Sequence, residues 1–120
     1  MSTDPRHRLG RLGERLAADH LERLGYEIVA RNHRTRYGEL DLVACDARTL
    51  VVVEVKTRRG ASPWDALGEA KRRQVRRMAA AYLCDVPDRP RREELRFDAI
   101  GVTFDAAGRM TALDHLEDAF

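Results

Sequence analysis

The string Leu50-Val51-Val52-Val53-Glu54-Val55-Lys56 sets a carboxylate and an ammonium two residues apart at the end of an otherwise apolar run. Alternation along a β-strand turns both side chains to one face. Lysine is rare here: among 22 basic residues only Lys56 and Lys71 are lysines. An ammonium is a compact point charge that approaches a phosphate and a water together, whereas a guanidinium favours planar, bidentate partners. Gly38-Glu39-Leu40-Asp41-Leu42-Val43-Ala44 is a second short apolar run with carboxylates inside its pattern. If the two runs are neighbouring strands with coincident faces, Asp41, Glu54 and Lys56 converge. Two carboxylates in a poorly hydrated setting repel each other unless a divalent cation lies between them. A few hard oxygen ligands are what Mg²⁺, or Mn²⁺, accepts. The backbone carbonyl of Val55 is a third oxygen at the same place. Such an ion polarises a phosphoryl oxygen and acidifies a water, while Lys56 orients that water or neutralises charge developing on the phosphate. The chemistry expected is phosphodiester hydrolysis. Taken alone, Glu-x-Lys also describes a solvent-exposed ion pair worth at most about 1 kcal/mol.

Those residues need two strands held in register. Leu9, Leu12, Leu16, Leu21 and Leu24 recur with a helical period, predicting an amphipathic helix over 9–24 that ends at Gly25. Tyr26 to Ala30 reads as a strand and Asn32 to Tyr37 as an arginine-rich turn. Glu39 to Cys45 and Leu50 to Thr57 read as an antiparallel hairpin joined by Asp46-Ala47-Arg48-Thr49, with a valine density that suits a strand covered on both faces. Arg58 to Ala61 is expected as a loop. Ser62-Pro63, with Asp65 behind it, reads as a helix start, and Gly68 divides that short turn from a longer helix over Ala70 to Leu83. After the break at Pro87 and Pro90, Leu95 to Phe104 is a strand and Met110 to Leu113 an edge strand. Helix, three strands, helix, one or two strands specifies an α/β domain with a mixed sheet flanked by helices.

The helices add further candidates. On a helical wheel Lys71 falls between Val75 and Met78 on the apolar stripe with Gln74 at its edge, while Arg72, Arg73, Arg76 and Arg77 fan outward. From there Lys71 and Gln74 reach the cleft and contact the phosphate backbone or the attacking water, unless Lys71 merely snorkels. Glu14 borders the stripe of the first helix, as an extra metal or water ligand or as a carboxylate favoured by the helix dipole. The formal net charge is only +2, so affinity for a polyanion must come from local clusters such as Arg58 with Arg59 and Arg72 with Arg76. The same runs also describe a solvated face. Tyr37 and Trp64 are candidates for base stacking or for packing. Cys45 and Cys84 read as small buried hydrophobes, and His7, His20, His33 and His115 are too scattered for a metal pair. At 120 residues the chain is read as one domain over 1–120. No stretch approaches the roughly 20 apolar residues that cross a bilayer, and the N-terminus lacks a signal-peptide core. A cytoplasmic location without a membrane partner is expected.

Gly13-Glu14, Gly38-Glu39-Leu40-Asp41-Leu42, Val53-Glu54-Val55-Lys56-Thr57-Arg58, Lys71 and Arg96-Phe97-Asp98 together resemble the YraN family, an uncharacterised bacterial family of the restriction-endonuclease-like PD-(D/E)XK superfamily. The resemblance runs from about Leu9 to Val102. It implies a restriction-endonuclease-like mixed β-sheet flanked by α-helices, with Asp41 and Glu54 matching the metal-binding carboxylates and Lys56 the catalytic lysine. Glu14 matches the helix carboxylate of resolvase-like branches, and Lys71 with Gln74 matches the helix after the core strands. The superfamily pattern has proline before the aspartate, where this chain has Leu40. The resulting expectation is a Mg-dependent nuclease acting on DNA, including branched or repair intermediates. A junction-cleaving member would need a homodimer to cut paired strands. Two other readings stay open, a nucleic-acid-binding accessory protein with little cleavage and a protein-interaction domain. Converging carboxylates favour the nuclease, because they weaken the binding of a polyanion unless metal is present.

Overall fold

The computed structural model describes residues 5–60 and 68–120, so the expected helix start at Ser62-Pro63, Asp65 and the side chain of Trp64 lie outside the described residues. Its elements are α1 (Pro5–Arg23), β1 (Glu27–Thr35), β2 (Gly38–Cys45), β3 (Thr49–Arg59), α2 (Glu69–Asp85), β4 (Glu94–Phe104) and β5 (Met110–Leu116). The strands form one sheet in the order β1-β2-β3-β4-β5. Only β3 and β4 run parallel, and α2 lies on the long connection that such a pair requires. This is an α/β fold with a five-stranded mixed sheet and two helices, consistent with a restriction-endonuclease-like arrangement.

The two helices cover opposite faces. Ala17, Ala18 and Leu21 of α1 pack on Leu42, Ala44, Val51, Val53, Ile100, Val102 and Phe104. Val75, Met78, Ala79 and Tyr82 of α2 pack on Leu40, Val43, Cys45, Leu50, Val52, Phe97 and Ala99. Successive residues of β3 therefore enter different cores, which is why Leu50 to Val53 is unbroken apolar sequence rather than an alternating one. The expected hairpin is present, its turn closed by Asp46 Oδ1, which accepts the N–H groups of Arg48 and Thr49 at 2.9 and 2.8 Å. Gly25, at φ +100°, ends α1 in the left-handed region.

Several elements run longer than expected. The arginine-rich stretch read as a turn from Asn32 is mostly strand: β1 continues to Thr35, pairing His33 with Leu40 and Arg34 with Glu39 after a bulge at Val29. An edge strand needs only one bonded neighbour, so a polar run can hold it. Arg58 and Arg59, read as a loop, extend β3 because β4 pairs with it as far as Arg59↔Phe104. The last turn of α2 carries Cys84 to the surface, so of the two cysteines only Cys45 is buried.

Helix α1 approaches β3 so closely that a Cβ on Gly13 would overlap Thr57 Oγ1, whereas one on Gly10 would meet nothing within 4 Å. Urea denaturation should separate these positions. Gly13→Ala is expected to cost about 1–3 kcal/mol through overpacking, and Gly10→Ala to be neutral or to stabilise by up to about 1 kcal/mol. Adding Thr57→Ala to Gly13→Ala should recover part of the loss; equal effects of the two glycine substitutions would refute the close approach.

Candidate functional site

The β2–β3 ladder runs from Cys45↔Leu50 to Leu42↔Val53 and stops. Beyond it Asp41 takes the place of a strand partner, its Oδ2 accepting the Val55 N–H at 2.7 Å. The break coincides with a slip in β2. Leu40, Val43 and Cys45 share the core under α2, while Leu42 and Ala44 lie under α1; strict alternation would put Leu40 with Leu42. Asp41 sits at the slip, in reach of both faces.

On the α2 side is Glu54, 5% exposed. Its Oε1 lies 2.6 Å from Lys71 Nζ and 3.9 Å from Lys56 Nζ, and its Oε2 is buried without a hydrogen-bond partner among the described residues. Burial, then the neighbouring Lys71 charge, holds Lys56 below the usual lysine range. Asp41 is pushed up to about 8, first by burial and then by the Glu54 charge, with Glu14 adding to it and the Val55 N–H opposing. Two carboxylates this close in a dry space do not both ionise.

On the α1 side Glu14, Glu39 and Asp41 bring carboxylate oxygens within 4.8 Å of one another. Asn32, at φ +51°, holds the first two: its Nδ2 donates to Glu14 Oε2 at 3.1 Å and to Glu39 Oε1 at 2.8 Å. Arg11 Nη1 reaches the same pair at 3.2 and 3.6 Å. Sequence reasoning gave neither Glu39 nor Asn32 a part in the site. Glu39 alternates with Asp41 along β2 and does share the α1 side with it, but the period alone gave it no task, and Asn32 carried no signal beyond asparagine's tolerance of the left-handed region.

The donor set suits a divalent cation. Glu54 offers a buried oxygen with no partner among the described residues, and burial and the Glu54 charge raise the Asp41 carboxyl. The carbonyl of Val55, which in an extended strand opens to the same edge as its N–H, faces the same gap. A groove of about 600 Å³ runs past it, lined by Glu14, Val55, Lys56, Thr57, Arg58 and Arg59 among others.

Residues 13–102 match the family model described as "Uncharacterised protein family UPF0102". The chain belongs to that family. UPF0102, the YraN family, is the one the sequence resembles. Its relatives include the UPF0102 protein of Nocardia farcinica, 47% identical over 115 residues that cover 93% of this chain and 88% of that one. The UPF0102 protein of Chlorobium chlorochromatii is 43% identical over 93% of this chain and 90% of its own length. The UPF0102 protein Rv2898c of Mycobacterium tuberculosis is 44% identical over 98% and 95%.

In this UPF0102 member the outer candidates are distributed unevenly. Lys71 points inward onto Glu54, as its place on the helical stripe predicts, and touches Gln74 Oε1 at 3.4 Å. Gln74 itself serves the β1–β2 turn, donating to the Tyr37 carbonyl at 3.0 Å. Arg72 is exposed on α2. Arg76 is not brought to the cleft: it donates to the Phe120 carbonyl at 2.6 Å and stacks 4.7 Å over the Phe97 ring. The family resemblance included Asp98, and this residue anchors a separate network. Asp98 is fully buried, bonded by Arg96 at 2.8 and 2.9 Å and by His115 at 2.7 Å; His20 reaches His115 at 3.1 Å. Burial opposes its charge, but Arg96, His115 and the Asp118 N–H together hold the carboxyl below its usual range.

Because folding raises the Asp41 pKa, the metal-free protein keeps an extra proton between about pH 4 and pH 8. The stability tied to that proton is full below the unfolded pKa and is lost as pH rises through about 8. Denaturation in EDTA should show wild type losing stability relative to Asp41→Asn as pH rises from 5 to 8. Parallel profiles would refute the shift.

Proposed function

We propose that this protein is a divalent-cation-dependent nuclease that hydrolyses phosphodiester bonds in DNA, with branched or repair intermediates as its substrate class. The reading is carried by one observation: Asp41 meets the buried Glu54, Lys56 lies within reach, and Glu54 Oε2 has no partner among the described residues. Asp41, Glu54 and the Val55 carbonyl hold the ion, which is Mg²⁺ or Mn²⁺. When bound, it supplies a Lewis acid for the phosphoryl oxygen and a more acidic water. Lys56 donates to the phosphate or orients the water, and its partial desolvation strengthens both contacts. Glu14 reaches Asp41 from α1 and adds a carboxylate for an ion or a water. Arg58 and Arg59, at the mouth of the groove, and Arg72 on α2 hold phosphates.

One contact favours the second reading, a nucleic-acid-binding accessory protein with little cleavage. The Lys71 ammonium, 2.6 Å from Glu54 Oε1, competes with a cation for the same carboxylate.

Purified protein incubated with single-stranded, duplex, flapped and four-way DNA in Mg²⁺ or Mn²⁺ tests both. Wild type is expected to cleave, and Asp41→Asn and Lys56→Ala each to lose on the order of 10²-fold or more, as removal of one electrostatic group commonly does. Binding without cleavage by wild type would favour the accessory reading, and cleavage equal in all three proteins would remove these residues from the chemistry.

A further inference from the structure

The groove beside the carboxylates does not end there. It shares Gly10 and Glu14 with a depression of about 440 Å³ that includes Arg11, Arg34 and Glu39. Arg34 in turn lines a third hollow of about 600 Å³, formed with Arg36 and Tyr37 of the β1–β2 turn and Arg77 of α2. The three make one surface path. Lys56, Arg58 and Arg59 lie at one end, Arg34, Arg36 and Arg77 at the other, and Glu14 and Glu39 lie between.

The far end is unusual in what it gathers. Tyr37 is 36% exposed at the tip of the turn, with the guanidinium of Arg36 at 5.0 Å and that of Arg77 at 5.9 Å from its ring centre. Arg36 and Arg77 are both exposed, and neither has an acidic partner among the described residues. The side chain of Arg34 is 84% exposed, held only at 3.6 Å from Glu39. Asp85, the acidic residue of the hollow, lies 3.5 Å from His33. The turn is nevertheless fixed: Gln74 holds the Tyr37 carbonyl, so the ring is presented at a set place. Cations gathered around an exposed aromatic ring suit a polyanion that carries flat π-surfaces.

We propose that Arg34, Arg36, Tyr37 and Arg77 form a second anchor for DNA, gripping the sugar-phosphate chain and stacking one unpaired base on Tyr37. This rests on the nuclease reading for the direction of the strand past the carboxylates, and it narrows the substrate to DNA with an unpaired segment. A base inside a duplex has both faces covered by its neighbours, so only an unpaired one can reach a side-chain ring.

Fluorescence anisotropy with labelled single-stranded, flapped and blunt duplex DNA tests it, using the Asp41→Asn protein in Mg²⁺ so that binding is read without turnover. Single-stranded and flapped DNA should bind more tightly than duplex. Adding Tyr37→Ala should weaken binding of the unpaired forms about tenfold and leave duplex unchanged, and Tyr37→Phe should keep the affinity. Arg36→Gln with Arg77→Gln should reduce the salt dependence of single-strand binding by about 0.7 per charge in the log–log slope. No binding, no effect of Tyr37→Ala, or an equal loss on duplex overturns the anchor. Cleavage by wild type with Tyr37→Ala binding unaltered would overturn the anchor and spare the nuclease reading. The expected binding pattern with no cleavage by wild type would do the reverse.

Discussion

Two carboxylates cannot both stay charged in the gap that β2 and β3 leave between them, and the groups around that gap answer to this constraint. Burying a charge is costly unless it is paired and hydrogen-bonded. Glu54 meets that demand with Lys71 from α2 and, more distantly, with Lys56 from its own strand. Asp41 meets it only in part, through one backbone N–H, and keeps its proton instead. On the other side of the sheet Asn32 and Arg11 perform the same service for Glu14 and Glu39. Groups from both helices and all three N-terminal strands are thus drawn to a single point where the ladder has opened.

The opening depends on the rest of the sheet being closed. β3 is bonded along its whole length to β4 and covered on both faces, so it is held straight while β2 departs from it at Leu42. The Asp98 network contributes from β4, in register with Val53. Arg96, His115 and the Asp118 N–H converge on one buried carboxylate and fasten β4 to β5 and to the segment after it, with His20 bringing in α1. Partners hold the Asp98 carboxyl below its usual range, whereas burial and the Glu54 charge raise that of Asp41, and this contrast separates a carboxylate that fastens strands together from one without a matching charge among the described residues.

Much of this could be read from the residues in order. The valine run of β3 announced a strand with two covered faces, and alternation along it put Glu54 and Lys56 on one side. Lys71 on the apolar stripe of α2 pointed to the same place. Pattern reasoning failed where the backbone departs from its period. The slip at Asp41 is invisible to a period-2 argument, and the roles of Glu39 and Asn32 exist only because α1 brings Glu14 to them. The polar stretch from Asn32 to Tyr37 reads as a turn because an edge strand leaves little trace in hydropathy; pairing with β2 makes it strand as far as Thr35. His20 and His115 lie 95 residues apart, and nothing local connects them. Arg76 resembles its arginine neighbours in sequence, and only the packing of Phe97 and Phe120 sets it apart.

Lys71 and Gln74 sit one turn apart on α2 and touch each other, one gripping the interior carboxylate and the other the tip of the first hairpin. The glycine after that tip, Gly38, is pressed so near that a Cβ would stand 3.0 Å from both Gln74 Nε2 and Met78 Sδ. A side chain at that position would have to push these two aside. One turn of helix thus touches both the buried carboxylate and the arginine-bearing corner, so the interior and the rim of the molecule share a single support.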